Sequence, residues 1–564
     1  MTEAYGVLVE SAREHQRKLE SKPRIRVGTA ICGQAAGALE VLEALRGEVA
    51  RQGLEATVSE VGCLGLCYAE PLVDVQFPGE QRMFYERVTP DKLPPVVEAR
   101  LVSTSIPMAT LGAPGFPGIP DLYDLPMMLN QVRIALRNAG HIDPTNLYEY
   151  IANCGYLALD KALSAMTPDE VLGEVTTSGL KGRGGAAFST GTKWGFLRGS
   201  QAPEKYILCN AEEGDPGAFN DKGILESDPH TLIEGMILAG YATGATYGYV
   251  FIRHGHEGPI QHTQKALEQA YEAGLLGQNI LGSDFSFDAE VSLVGESYVS
   301  GEETALMEAI EGKRAMPRYR PPFPAAVGVW GKPSNINNIK TLSYVPEIVS
   351  KGGEWFADIG VKGSAGTAIL CLSGNILRPG MMEVPMGLSL RTAVEEMGGG
   401  TPGGKRVKFL QTGGPLGGVL SGEKLDTLLD FKAMAAAGAI LGSGGIIVAD
   451  DEVCAVDMTR LLVAFCQYES CGKCFPCRLG TTHLLEVLER MCRFESMPSD
   501  MELMHTVGKE MAATSLCGHG QLGFNPVQSA LDYFGGEFAI HMEEGRCLTG
   551  SCNSQFITPV RTRR

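Results

Sequence analysis

The stretch CGKCFPC, with Cys471, Cys474 and Cys477 two residues apart and Cys517 in a later glycine-flanked turn (TSLCGHGQLG), constrains this chain more than any other. Three thiolates on one short loop must meet a fourth from far downstream, so the intervening segment has to fold back. That segment supports the requirement: MTRLLVAFCQY, HLLEVLERMCRF, LMHTVGKEMAAT and PVQSALDYF read as helices between cysteine loops. A C-x2-C-x2-C run with a remote fourth cysteine is the ligation pattern of a [4Fe-4S] cluster, whereas zinc ribbons more often carry two separated C-x2-C pairs. Zinc remains the minor alternative, and four incidental cysteines at this spacing have a very low prior.

The chain has 15 cysteines and an N-terminus, MTEAYGVLVESAREHQRKLE, without an apolar signal core. A reducing cytoplasm is therefore expected, with thiols used for metals in preference to disulfides. The most apolar stretch, Ala433 to Ala449, holds four glycines and a serine and is too short to span a bilayer. A formal charge of −18 with no Lys/Arg tract argues against nucleic acid as a partner. At 564 residues the chain exceeds the roughly 250–300 at which one core stops growing, so several domains are expected. Cys154, Cys209, Cys371, Cys454 and Cys492 are scattered and read as small buried hydrophobes.

Residues 24–98 read strand, helix, strand, a small α/β unit. Val102 to Pro126 contains five prolines and three glycines and reads as a linker. Helical spacing follows from Met127 to about Leu172, through LNQVRIALRNAG and LYEYIANCGYLALDKAL. From Gly179 to about Leu342, glycine-rich loops alternate with β-like runs and helices, as in an open α/β sheet whose edge binds a small molecule. Thr367 to about Val448 resembles a β-rich module built around one helix.

Within the α/β stretch, LKGRGGAAFSTGTKW (180–194) is not a standard dinucleotide fingerprint, because what precedes it looks helical. Four glycines with Arg183 and Lys193 nevertheless suit a phosphate-holding loop; the bland alternative is an ordinary glycine-rich turn. NAEEGDPG (210–217), YVSGEET (298–304), RPPFP (320–324) and KPSNINN (332–338) each set acids or amides at a turn that can aim hydrogen bonds at a heterocycle or ribose. A pair such as Glu302/Glu303 is usually solvated surface, but Tyr298 and a glycine beside it favour a pocket wall.

In order and nearly word for word, these motifs resemble the NADH-oxidising FMN subunit of respiratory complex I. They also resemble its relatives, the diaphorase subunits of NAD-reducing and electron-bifurcating hydrogenases and of NAD-dependent formate dehydrogenases. The resemblance covers roughly Gln131 to Leu531. It implies an α/β multidomain protein: a thioredoxin-like [2Fe-2S]-type domain (1–100), a linker (101–126), a Rossmann-like FMN- and NAD(H)-binding domain (127–360), a ubiquitin-like (SLBB) β-grasp domain (361–450), a helical [4Fe-4S] domain (451–540) and a tail (541–564). FMN is implied to contact Gly182, Arg183, Gly184, Gly185, Lys193, Asn210, Glu212, Tyr298, Gly301, Glu302, Glu303, Asn337 and Asn338. Phe188, Phe196, Glu213, Asp215, Arg320 and Phe323 are implied to form the NAD(H) pocket. Asp215 and Arg320 depart from the glutamate and lysine common in the complex I form, which leaves NADH against NADPH open.

The implied chemistry is hydride exchange between NAD(H) and FMN, then single electrons through the [4Fe-4S] cluster, with pocket side chains binding and none acting as acid or base. A thioredoxin-like [2Fe-2S] subunit and a catalytic or cluster-rich subunit are the implied partners. An alternative of another class is a noncatalytic iron-sulfur scaffold with a vestigial flavin site.

Two cysteine groups stand apart. Cys32, Cys63 and Cys67 match three of the four ligands of a thioredoxin-like [2Fe-2S] centre, and Gly37 stands where the fourth would be. Either a noncysteine or distant ligand completes the centre, or the domain is empty. His541, Cys547 and Cys552 form H-x5-C-x4-C on a tail too polar to be fixed by packing, which suggests a structural zinc with Cys466 as fourth ligand. Cysteines left over from a lost extension are the competing explanation.

Overall fold

In a computed structural model the described residues are 1–93, 107–112 and 118–552. The N-terminal sheet has the order β2-β1-β3-β4-β5, from β1 (Arg24–Gly28), β2 (Thr57–Val61), β3 (Val73–Gln76), β4 (Arg82–Tyr85) and β5 (Ala109–Leu111). Parallel β1 and β2 are joined by the helix Ala38–Gln52, which buries Val41, Leu42, Leu45 and Val49 and ends on left-handed Gly53 (φ 64°). The sheet corrects one boundary of the expected linker. Ala109–Leu111, placed in that linker, is an edge strand antiparallel to β4, because that edge otherwise presents bare peptide groups. Linker residues 101–106 and 113–117 lie outside the described residues.

The first helix, Glu3–Glu20, is also misplaced by a boundary at 1–100. It packs on the helical segment 147–165 of the central domain: the Tyr5 hydroxyl donates to the Gly155 carbonyl (2.8 Å) and the Thr2 hydroxyl to Asp160 (2.7 Å). Its core residues Tyr5 and Ala12 belong to the central hydrophobic cluster.

The central domain is a parallel sheet, order β8-β7-β6-β9, built from β6 (Tyr206–Ala211), β7 (Tyr247–Arg253), β8 (Asp288–Val294) and β9 (Ser334–Asn338). The helix Pro229–Thr243 is buried nearly all round and has no polar stripe, as a helix clamped between layers should. The expected helix through LNQVRIALRNAG does not form; residues 129–140 run through turns. Their backbone groups are satisfied from elsewhere. The fully buried Glu383 carboxylate accepts the Ile134, Ala135 and Leu136 N–H groups (2.8, 3.2 and 2.9 Å), and Arg133 donates to the carbonyls of Leu64, Leu136 and Ala139.

A short hairpin, β10 (Gly360–Val361) and β11 (Ser364–Ala365), leads into the β-grasp sheet, order β13-β12-β16-β14-β15. Its strands are β12 (Thr367–Gly374), β13 (Gly380–Pro385), β14 (Val407–Thr412), β15 (Val419–Ser421) and β16 (Gly445–Asp450), with β12 and β16 parallel at the centre. The chain closes with helices Ala455–Tyr468, Phe475–Cys492, Asp500–Thr514 and Asn525–Ala539 around their own core. Among the described residues no helix is long and apolar enough to cross a membrane.

Candidate functional site

All four strands of the central sheet are parallel, so their carboxyl ends share one edge. The chain steps from β6 outward to β7 and β8, then returns to place β9 on the other side of β6. That reversal opens a crevice between β6 and β9, where open α/β sheets bind ligands. Asn210 and Asn338, paired in register at those two strand ends, flank it.

The glycine loop arrives from the helix Pro168–Thr177 and leads into the helix Thr190–Gly199, capped by the Ser189 hydroxyl on the Thr192 N–H. Gly182 donates to the Phe188 carbonyl (2.8 Å), and Gly185 adopts φ 118°, a conformation closed to residues with a Cβ. A Cβ on Gly184 would come 3.1 Å from that of Asn338, so the loop lies against the end of β9. Arg183 is not the phosphate-facing cation that the glycine-loop reading suggests. Its guanidinium is buried and donates to the carbonyls of Thr367 (3.0 Å), Lys181 (2.9 Å) and Ala365 (2.7 Å), which fastens the loop to the β-grasp domain.

Lys193, one turn into the following helix, pairs with Glu303, and Arg320 bridges Glu302 (3.2 Å) and Glu303 (3.7 Å). Glu302 also caps the helix Glu303–Ile310 through the Thr304 and Ala305 N–H groups. The Asn210 amide donates to the Gly301 carbonyl (2.8 Å), tying β6 to this acidic segment. Asn337 and Asn338 are held by Asn335 and Asp221 (both 2.6 Å). Phe188, Phe196 and Phe323 are 51%, 59% and 60% exposed, ring faces open to a planar partner.

Two implied pocket residues face inward instead. Both oxygens of buried Glu213 are taken by the Asp221 and Lys222 N–H groups (2.8 and 2.9 Å) and the Lys222 ammonium, so this carboxylate serves the helix that follows. Asp215 accepts the Ser443 hydroxyl (2.7 Å) and so faces the β-grasp domain. Glu212 does border the crevice. A Cβ on Gly301 would lie 3.0 Å from its carboxylate, and burial pushes its pKa up to about 8 despite Arg253 at 3.3 Å. The sequence reading missed Lys340, which is 2% exposed and bonded to Asp221 (2.9 Å), Asn220 (2.7 Å) and the Ser443 carbonyl (3.1 Å). In the polar run KPSNINNIKTLS nothing marks this lysine as buried.

Cys471, Cys474, Cys477 and Cys517 line one cavity with Val299 and His519. Cys474 caps the helix Phe475–Cys492, Cys477 lies in its first turn, and Cys517 caps Gly518–Gln521. Burial pushes the Cys477 thiol up to about 12 and Cys517 to about 11, so thiolates here require a positive charge among them. His519 and Gly520 offer N–H groups to Cys517. Four convergent sulfurs around a space, with backbone donors, fit an iron-sulfur cube. Tyr298 joins this cavity to the crevice: its ring packs on Phe465 and His519 (centroids 5.3 and 5.7 Å), and its N–H donates to Glu469 (2.9 Å).

At the C-terminus the structure replaces one expected ligand. Cys454, His541, Cys547 and Cys552 bring their ligand atoms within 4.8 Å of one another. Cys466 is excluded: it is fully buried on the helix Ala455–Tyr468, roughly 18 Å along the axis from Cys454 at that helix's N-cap, and lies near Cys477. The tail folds back past the bundle's end to its beginning. Cys454 lies 3.4 Å from His541 Nε2 and 3.5 Å from Cys552.

Comparisons with known proteins agree with this geometry. Residues 175–347 match the Nuo51 FMN-binding domain, 369–420 the SLBB domain and 457–541 the NADH-ubiquinone oxidoreductase-F iron-sulfur binding region. The chain is 45% identical over 424 residues to the NADP-reducing hydrogenase subunit HndC of Solidesulfovibrio fructosivorans, covering 75% of this chain and 86% of that one. It is 43% identical over 414 residues to an NADH-quinone oxidoreductase subunit of Rhizobium meliloti, covering 73% and 98%. A crystal structure of an NAD+-reducing [NiFe]-hydrogenase in the H2-reduced state superposes with TM-score 0.64 at 27% identity over 96% of this chain and 90% of that one. The chain therefore belongs to the family of FMN-binding, iron-sulfur oxidoreductase subunits that includes this NADH-quinone oxidoreductase subunit and the hydrogenase subunit HndC.

Proposed function

We propose that the chain is the NAD(H)-oxidising subunit of a multisubunit redox complex of the hydrogenase or formate dehydrogenase kind. The observation that carries this reading is the segment 298–301, whose two ends serve both centres. Gly301 is bonded to Asn210 at the crevice, while Val299 lines the thiolate cavity and Tyr298 packs on its His519. When bound, FMN takes up an electron pair as hydride and releases electrons singly, which neither a nicotinamide nor a cluster does alone.

The chain's own residues bind and orient. The glycine loop and Asn210, Asn337 and Asn338 hold the flavin, Lys193 answers its phosphate, and Phe188, Phe196 and Phe323 flank the dinucleotide. Glu302 and Glu303 hold Arg320 in place between them, so that this cation is positioned for the nucleotide. Burial raises the Glu212 pKa, which weakens its tendency to add a further negative charge. Cys471, Cys474, Cys477 and Cys517 would hold a [4Fe-4S] cluster, which would supply single-electron transfer towards a thioredoxin-like [2Fe-2S] subunit and a catalytic or cluster-rich subunit. A cytoplasmic setting is supported by 15 cysteines that are all free thiols.

The reading includes one structural zinc at Cys454, His541, Cys547 and Cys552. His541 Nδ1 faces the Glu537 carbonyl at 2.7 Å, which places the ring proton there and leaves Nε2 for a metal. Mixed His/Cys tetrahedral ligation suits a redox-inert ion.

The experiment is anaerobic titration of the purified chain with NADH. Bleaching of flavin and broad iron-sulfur absorption, with turnover of a viologen or ferricyanide, is expected. A preparation that holds iron but neither binds FMN nor bleaches would establish the noncatalytic scaffold instead.

A further inference from the structure

The thioredoxin-like resemblance implies a two-iron cluster at Cys32, Cys63 and Cys67, and the geometry disagrees with it. Cys63 Sγ lies 3.2 Å from Cys32 Sγ and 3.8 Å from Cys67 Sγ, and all three fall within 4.8 Å of one another. Thiolates at about 2.3 Å from one tetrahedral ion stand roughly 3.8 Å apart. A two-iron cluster inserts a second iron and two sulfides between its ligand pairs and forces them well apart. The same molecule shows the contrast: Cys471, Cys474, Cys477 and Cys517 do not close to within 4.8 Å of one another.

Glu70 is the acid that faces these thiols, near Cys32, although its carboxylate does not close to within 4.8 Å of all three sulfurs and must swing inward to complete the set. Gly37 holds a left-handed turn (φ 97°) where a C-x4-C pattern would require a cysteine, so that position is unfavourable for a side chain. Glu70 instead approaches Cys32. It is 7% exposed; its Oε2 is fixed by the Leu72 N–H (2.8 Å), and its Oε1 faces Cys32 Sγ at 3.8 Å. Two glycines make the room: a Cβ on Gly28 would come 3.2 Å from both carboxylate oxygens, and one on Gly33 3.3 Å from Oε2. Among the described residues no Lys or Arg pairs with Glu70. Arg26, the cation on the neighbouring strand, is engaged by Asp74 (2.7 Å) and Gln76 (3.2 Å). A buried acid beside three thiols, without a cation, stays protonated, and a metal ion would supply the charge that lets it and the thiols ionise. The Gly65 N–H donates to Cys63 Sγ (3.1 Å), as backbone amides do to metal-bound thiolates.

We propose that Cys32, Cys63, Cys67 and Glu70 hold a single tetrahedral zinc ion in place of a [2Fe-2S] cluster. The ion is a clasp. The loop it fixes is bonded to the β-grasp strand β13 through the Gly65 carbonyl and Met381 N–H (2.9 Å), to Pro379 through the Tyr68 N–H (3.1 Å), and to Arg133 through the Leu64 carbonyl (2.8 Å). A redox-inert ion here takes the N-terminal domain out of the electron path.

The test is metal analysis of the full chain purified anaerobically. Cys63→Ser and Glu70→Ala should each remove one zinc per chain, with flavin and the iron of one four-iron cluster retained, and Glu70→Cys should restore it. Reading a difference keeps the Cys454 centre out of the result. Cobalt exchange supplies a second readout: thiolate-to-cobalt absorption assignable to this site should vanish in Cys63→Ser and shift in Glu70→Cys. Iron in excess of one four-iron cluster, with a reducible two-iron paramagnetic signal abolished by Cys63→Ser, would overturn the single ion. Zinc lost in Cys63→Ser but kept in Glu70→Ala would overturn the role of Glu70, and zinc unchanged in both would overturn the site.

Discussion

Replacing Glu212 by Gln should change how stability depends on pH. Its side chain is 3% exposed and burial raises its pKa to about 8, while an unfolded glutamate titrates near about 4.3. Between those values the unfolded chain has lost a proton that the native chain keeps. Stability therefore falls as pH rises through that window and levels off above about 8. The slope is about 1.4 kcal/mol per pH unit and halves by about pH 8, so the wild type should lose about 2.3 kcal/mol between pH 6 and pH 8 that the Gln variant does not. In a domain of this size that is roughly 5–9 °C in melting temperature. The assay is thermal melting of the flavin-depleted full chain and its Glu212→Gln variant at pH 6, 7 and 8. Other buried acids contribute to both curves and cancel in the difference. Parallel curves would refute the reasoning, because they would mean that Glu212 is ionised throughout and that Arg253 outweighs burial.

Further outcomes are expected at the two centres. Cys517→Ser should abolish the [4Fe-4S] paramagnetic signal while NADH still bleaches the flavin; an unaltered cluster would mean a misassigned ligand. Glu302→Gln with Glu303→Gln should raise the KM for NADH severalfold with flavin retained, whereas Lys193→Glu should lose flavin from the purified chain. Unchanged turnover in both would remove this segment from the pocket. Cys454→Ser should release one zinc per chain and Cys466→Ser none; the reverse, by metal analysis, would restore the ligand set expected from the sequence.

What the sequence disclosed and what it hid divide along physical lines. CGKCFPC and LKGRGGAAFSTGTKW are local: spacing and glycine content suggest their chemistry, the four cysteines line one cavity, and the glycine loop lies against the end of β9. Cys454 carries no such mark, because its partners lie far along the chain and meet it only when the tail folds back onto the start of the helix it caps. Glu70 is hidden in the same way, as a lone acid whose meaning comes from Cys32 on another element. Residues 129–140 have helical spacing, yet Glu383, from the β-grasp domain, takes their N–H groups. Tertiary hydrogen bonding overrode periodicity there. Arg183 reads as a phosphate ligand in isolation, and only the placement of β11 and β12 shows its donors already used.

The β-grasp domain has a part in the crevice that its family match does not itself state. Asp215, Asn220 and Lys340, on three separate segments around the crevice, all bond Ser443 or its carbonyl just before β16 (2.7, 2.7 and 3.1 Å). Gly414 packs so closely on Asp215 that a Cβ there would come 2.2 Å from the carboxylate. Arg183 extends the same seam through the carbonyls of Ala365 and Thr367. A loop that must present N–H groups to an anion is mobile unless something behind it absorbs its other polar groups. Here a second domain does so, chiefly through the main-chain carbonyls of Ala365, Thr367 and Ser443. The β-grasp domain backs the glycine loop through Arg183, so the placement of this loop depends on two domains although its own residues come from one.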